Sequence, residues 1–281
     1  MQRIKTVRTN QGLPRMKKKK FVFTLIACLA LIACESDNKD ITVETPPVNE
    51  LYTLAKHSLE AGEFSEAANL FDNVERDYPY SIWATRSQLM GAYANYEANK
   101  YDEAIIGLDR FIQLHPSNQN TPYAYYLKAL CYYEQITDVS RDQLITQKAL
   151  QVLQKITRRY PQTKYARDAL LKIDLTRDHL AGKEMAVGRY YLLKRNYLAA
   201  INRFQIVINK YQTTSHVAEA LHRVVEANVA LGLTEEAKKT GAVLGFNYPG
   251  SAWYIDTYSL LKKKNKNVEK PFLKRAWNWV F

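Results

Sequence analysis

Glu60-Ala61-Gly62-Glu63-Phe64-Ser65-Glu66-Ala67 and Glu97-Ala98-Asn99-Lys100-Tyr101-Asp102-Glu103-Ala104 are two copies of one block, Glu-Ala-x-x-aromatic-x-Glu-Ala, 37 residues apart. Its last Ala recurs as Ala67, Ala104, Ala149, Ala200 and Ala237, at steps of 37, 45, 51 and 37 residues. Apolar residues follow it at helical spacing: Leu70, Phe71 and Val74; Leu108 and Phe111; Leu153 and Ile156; Phe204 and Val207. Another residue, usually small, stands twelve positions before four of the five markers: Ala55, Ala92, Gly188 and Val225. Ala129 holds the place in the third block, where extra residues intervene. Small side chains there let two helices approach closely. Twelve positions after the marker come Pro79, Pro116, Pro161, Gln212 and Pro249, where the second helix is expected to end, because Pro cannot continue a helix and pushes the residue before it out of the α region. A fixed period of this size means helix pairs that bury their apolar faces only by stacking on one another.

The fold expected is therefore all-α, a solenoid of about five helix pairs with a C-terminal helix or tail. The repeats lie near residues 48–81, 85–118, 122–163, 164–214 and 218–251, within a body spanning 51–261. The small, aromatic and Pro positions resemble those of tetratricopeptide repeats, and that resemblance implies a right-handed superhelix. The Trp and Leu-Gly positions of the motif are mostly missing. The 45-residue step carries eight extra residues, placed in Gln135 to Thr146. The 51-residue step carries fourteen, within Gln162 to Gly188, where the pattern reads as a long or bent helix.

Lys17 to Lys20 precede a 13-residue apolar run, Phe21 to Ala33, too short to span a bilayer and suited to a signal-peptide core. The run ends Leu31-Ile32-Ala33-Cys34, which resembles the lipobox of bacterial lipoproteins and implies lipid on Cys34. Leu25-Ile26-Ala27-Cys28 is a second match with a shorter apolar core. Residues 1–33 are expected to be removed, with 1–15 as an extended basic region or untranslated. Residues 34–50 form a polar tether.

The net charge of +12 is mostly carried at the ends. Residues 1–20 hold eight Lys and Arg and no acid, and residues 262–281 hold seven against the single Glu269. Between them residues 34–261 come to −2, with no basic stripe to suggest nucleic acid. Cys131 would be the one cysteine left without lipid, so no internal disulfide is expected. No phosphate loop, His-Glu-x-x-His, Cys-x-x-Cys or nucleophile elbow occurs, and the five His are scattered. An enzyme, a metal and a cofactor are not expected.

The first helices carry the candidate binding residues. Transferring the register of tetratricopeptide arrays lines the concave face with Tyr52, Lys56 and Leu59; Arg86, Leu89, Tyr93 and Tyr96; and Tyr123, Tyr126, Leu130 and Tyr133. Tyr combines apolar area with a polar tip and suits an extended peptide segment. The tail, Lys262 to Phe281, combines basic residues with Trp277 and Trp279 and suits a membrane surface or an acidic partner.

A lipobox with five such repeats resembles the BamD (ComL) family of outer-membrane lipoproteins. The words that carry the resemblance are Thr121-Pro122-Tyr123-Ala124-Tyr125-Tyr126-Leu127-Lys128-Ala129, Tyr132-Tyr133-Glu134-Gln135, Arg177-Asp178-His179-Leu180-Ala181-Gly182-Lys183-Glu184 and Tyr197-Leu198-Ala199-Ala200-Ile201-Asn202-Arg203-Phe204. The resemblance implies a periplasm-facing scaffold on the outer membrane within the machinery that inserts β-barrels. Its implied partners are a BamA-like barrel protein, other Bam lipoproteins and unfolded outer-membrane proteins. Arg203 matches the position that contacts the barrel protein. A different reading of the same repeats and lipobox is a lipoprotein that tethers or regulates cell-wall enzymes.

Overall fold

The computed structural model describes residues 46–268, with side chains through Lys262. Residues 1–33, Cys34, most of the tether and the tail beyond Val268 lie outside the described residues. Eleven helices and no strand occur among those described. They are α1 (Val48–Glu60), α2 (Phe64–Asp77), α3 (Ile82–Glu97), α4 (Tyr101–Leu114), α5 (Thr121–Glu134), α6 (Leu144–Arg159), α7 (Lys164–Leu193), α8 (Tyr197–Lys210), α9 (Val217–Leu231), α10 (Thr234–Asn247) and α11 (Ala252–Val268). Each helix packs on the next, α1 with α2 through α9 with α10, and α11 closes the stack on α9 and α10.

Two expected boundaries move. Val48, Asn49 and Glu50, counted with the tether although the first repeat is expected to start near 48, form the first turn of α1, with Pro47 at its N-cap at φ −50°. Residues 262–268, assigned to the tail, continue α11. Neither stretch contains a residue that interrupts a helix.

All five marker Ala are fully buried. So are the residues four and seven positions later: Phe71 and Val74, Leu108 and Phe111, Leu153 and Ile156, Phe204 and Val207; in the fifth repeat the pair is Gly241 and Leu244. Ala55, Ala92, Ala129 and Val225 are buried opposite them. At Gly188 the fit is tightest, since a Cβ there would lie 2.4 Å from Phe204 Cε1. Small faces large, and interdigitation at native density follows.

The last helical residue stands two before each marked position, as expected where Pro pushes the residue before it out of the α region, and the fourth repeat ends the same way without Pro. Tyr78, His115, Tyr160, Tyr211 and Tyr248 all leave the helix at φ between −126° and −135°. Tyr211 does so although Gln212 follows it. At every junction the amide three residues on donates back to the carbonyl of this residue: Ser81, Asn118, Thr163, Thr214 and Ser251, all at 3.1 Å. Ser81, Thr163 and Thr214 add their hydroxyls to the same carbonyl at 2.8–2.9 Å. Ser81 and Thr163 then cap the next helix through the amides of Ala84 and Ala166. Four of the five junctions read Tyr-x-x-Ser/Thr, the second reads His115-x-x-Asn118, and Pro follows the first residue in four of them.

The two insertions take different forms. The first occupies the non-helical residues 135–143 ahead of α6. The second lengthens α7 to 30 continuous residues. The N-terminal half of α7 buries Ala166, Ala169 and Ile173 against α5 and α6, in a cluster with Leu153 and Ile156. Its C-terminal half buries Ala181 and Met185 with Phe204 and Leu221. One helix thus belongs to two cores.

Candidate functional site

Tyr93 and Tyr96 on α3 and Tyr123, Tyr126 and Tyr133 on α5 stand at spacings of three or seven, so each of these helices presents them as a stripe, and Tyr165 on α7 adds one ring. Successive first helices bring the stripes together. Tyr165 lies with its ring 5.5 Å from Tyr123 and 5.3 Å from Tyr126. Tyr93 and Tyr96 are close enough to Tyr123 to help raise its pKa, though burial is the larger cause. The Tyr126 hydroxyl donates to Asp168 Oδ2 at 2.5 Å. Burial and this bond keep Tyr126 protonated. Tyr96 is pushed up to about 12, first by burial and then by Glu134 and Glu97. The phenols of Tyr96, Tyr123 and Tyr126 are held protonated as donors, and Glu97, Glu134 and Asp168 stand near them.

Each expected residue has a definite place. Tyr52 packs on Phe71 and on Trp83, ring centres 5.6 and 4.6 Å away, and joins α1 to α3. Arg86 lies over Trp83 at 5.3 Å and lines a cleft of about 250 Å³ with Ile82, Thr85 and Asn118 to Asn120. Tyr133 lies under Lys172 at 5.0 Å. Every one of these tyrosines is half-buried, with one edge mortared into the next repeat and the rest on the surface. Leu89 is largely buried beside Ala92 and Phe111 and forms part of the wall of the same cleft as Arg86. Trp83, Tyr165, Asp168 and Lys172 belong to this face and escaped the sequence reading. Tyr165 carries the same stripe, but the longer fourth repeat hid its register.

Arg203 on α8 is apart from the tyrosines. Its Nη1 lies 3.1 Å from Glu184 Oε2 on α7. Nearby, Arg189 reaches both oxygens of Glu219 at 2.9 and 2.8 Å, and Glu219 also faces Arg223. The stretch Arg177 to Glu184 works as a joint in mid-α7. Asp178 Oδ1 accepts from the Ser215 amide and hydroxyl at 3.1 and 2.8 Å. Lys183 Nζ donates to the Ser140 carbonyl of the first insertion at 2.8 Å. Gly182 fits between Val139 and His216. Among the described residues no cluster of His, Cys, Asp and Glu could hold a metal, and no helix is long and apolar enough to cross a membrane. Cys131 is buried, which pushes its thiol up to about 12.

Stacked helix pairs with an aromatic face that runs across successive first helices define an all-α repeat protein of the tetratricopeptide-like kind. The family model described as "Outer membrane lipoprotein" (YfiO) matches residues 44–244, and the chain belongs to this family. The "Outer membrane protein assembly factor BamD" of Caulobacter vibrioides is similar to it at 49% identity, covering 94% of this chain and 85% of the relative. Its namesake in Rickettsia prowazekii is 45% identical, covering 88% and 98%. Among solved structures, the "TPR2AB-domain:pHSP90-complex of yeast Sti1" is similar at 13% identity and a TM-score of 0.39, covering 83% of this chain and 96% of that one.

Proposed function

We propose that this chain is an assembly factor for outer-membrane proteins, working as a scaffold. The tyrosine face of α3, α5 and α7 receives unfolded barrel segments. The helices around Arg203 hold the periplasmic domains of a BamA-like barrel protein, alongside other lipoproteins of the same machinery. Lipid on Cys34 keeps the chain at the outer membrane, facing the periplasm. The observation that carries this reading is the unbroken run of half-buried tyrosines across three repeats, in a chain of the outer-membrane lipoprotein family.

The chemistry suits the task. A barrel strand in transit alternates apolar side chains with unpaired backbone amides and carbonyls. Phenol rings supply apolar area, while their hydroxyls and the neighbouring carboxylates meet the backbone groups. Such contacts are individually weak, and a tether to the membrane raises the local concentration that makes them effective. Binding alone accounts for the action proposed, without a reaction.

Affinity purification of the full chain from gently solubilised membranes tests the reading. The expected result is a BamA-like barrel protein among the partners and an acylated Cys34 in the N-terminal peptide. Recovery of cell-wall enzymes in its place would overturn it. Within the same preparation, Tyr93→Ala with Tyr96→Ala should weaken capture of an unfolded barrel-strand peptide about tenfold or more. Arg203→Ala should weaken recovery of the barrel protein and leave peptide capture unchanged.

A further inference from the structure

The second helices of the five repeats differ sharply in charge. Counting Lys and Arg against Asp and Glu, α2 is −3, α4 is −2, α6 is +4, α8 is +2 and α10 is 0. α6 has no acidic residue at all. Its Lys148, Lys155, Arg158 and Arg159 are all exposed, and none forms an ion pair among the described residues. Other cations of the stack do pair, as in Arg110 with Glu75, Lys128 with Asp109 and Arg189 with Glu219, and some, such as Lys100, Arg167 and Arg195, do not among the described residues; α6 differs in that four cations gather on one helix that has no acid of its own.

Three of the four cations are held in place by aromatic rings. Lys148 lies 5.8 Å from the centre of Tyr132. Lys155 and Arg159 lie 4.8 and 5.9 Å from Tyr125. Tyr125 and Tyr132 are seven residues apart on α5, so they form the floor beside which the cations of α6 stand as a wall. The stripe from Lys148 to Arg159 is about 16 Å long at the helical rise, the length of about five extended residues. Such an arrangement limits the side-chain entropy lost when an anion binds.

We propose that this basic, tyrosine-floored strip is a docking site for an extended acidic segment of a partner protein. Charge complementarity identifies the occupant: Lys148, Lys155 and Arg159 stand in a row at i, i+7 and i+11 with Arg158 to one side, and none has a carboxylate partner among the described residues. The neighbouring α4 is acidic, and Asp109 there already holds Lys128. A planar layer of phosphate headgroups would meet that acidic helix as well, whereas a single strand follows α6 alone. The strip is formed by the second helix α6 with two rings of α5, and it uses Tyr125 and Tyr132 and none of the tyrosines of the stripes on α3, α5 and α7.

The test uses the full chain in a non-ionic detergent and a fluorescein-labelled deca-glutamate peptide, read by anisotropy. The wild type should bind with a steep loss of affinity as salt rises. Lys148→Gln, Lys155→Gln and Arg159→Gln combined should weaken binding about tenfold, since each exposed pair contributes only modestly. A control with the same charge change on α8 and α10, Lys210→Gln, Lys238→Gln and Lys239→Gln, should change it less than about twofold. The helical circular-dichroism signal of both variants should match the wild type. Equal weakening in the control, or no binding by the wild type, would overturn the proposal. So would binding to phosphatidylglycerol vesicles that depends on the same three residues while the peptide does not compete.

Discussion

Arg195 sits at φ 61°, in the left-handed region, at the turn between α7 and α8. Gly62, Asn99 and Gly232 occupy the same point in the first, second and fifth repeats, five residues before the marker Ala, and all have positive φ. Gly adopts that conformation freely, Asn does so readily, and Arg pays for its Cβ. Arg195→Gly should therefore stabilise the chain by about 0.5–1 kcal/mol, seen as a higher urea midpoint with unchanged slope. Gly188 poses the opposite case. A methyl group there meets the fully buried ring of Phe204, so Gly188→Ala should cost about 1–3 kcal/mol and lower the Tm. His222 is a residue whose effect depends on pH. Its Nδ1 lies 2.8 Å from Thr257 Oγ1, and its ring packs on Trp253. Burial lowers its pKa below 6.5, Arg223 adds to the effect, and Glu226, Asp256 and Glu219 oppose it. The unfolded chain then takes up a proton that the folded chain resists. Stability is fully present above the unfolded value and declines as pH falls from about 6.5 toward the lower folded value. Thermal melts between pH 7.5 and 5 should show this decline in the wild type and a shallower one in His222→Gln.

α7 is the element on which the stack turns. Its 30 residues span about 45 Å, long enough to serve two cores. The polar word in its middle, Arg177 to Glu184, holds two irregular segments: residues 135–143 through Lys183 and Ser140, and the turn before α9 through Asp178 and Ser215. The first insertion also holds itself, since Gln143 Nε2 donates to the carbonyls of Asp138 and Arg141. Lys183→Ala should release one end of it. Amide exchange within 136–142 should speed up while α5 and α6 keep their protection. The periodicity of residues 164–193 is enough to read a helix, because every element of that reading is local. Which side of it faces which core is not local. Leu170, Leu171 and Leu175 look like core residues in the sequence and are exposed in the fold. Thr176 and Gly182 look unremarkable and are buried.

At the scale of the molecule, each repeat is covered by its neighbours, so the ends decide how far order extends. α11 covers the last pair. Trp253 and Tyr254 pack on the cluster that holds Phe204 and Leu221, and Leu261 packs on Val225 and Ala237. Deleting residues 252–281 should open α9 and α10 to amide exchange and proteolysis and leave α1 to α4 protected. Loss of protection throughout would mean that the stack melts as one unit. The sequence alone determined the class, the phase of the five pairs and the buried small and aromatic positions. Those follow from which residues recur at helical and repeat spacing, and burial at such positions requires only that the pairs stack. It also placed the tyrosines of α3 and α5 on first helices, through the same period. The tertiary structure decided what the period could not. It put Trp83 against Tyr52 and Tyr165 between Tyr123 and Tyr126, buried Leu89, and set the cations of α6 beside the rings of α5. These contacts join residues up to 42 positions apart, across insertions that break the count, and only the packing of whole helices determines which side chains meet.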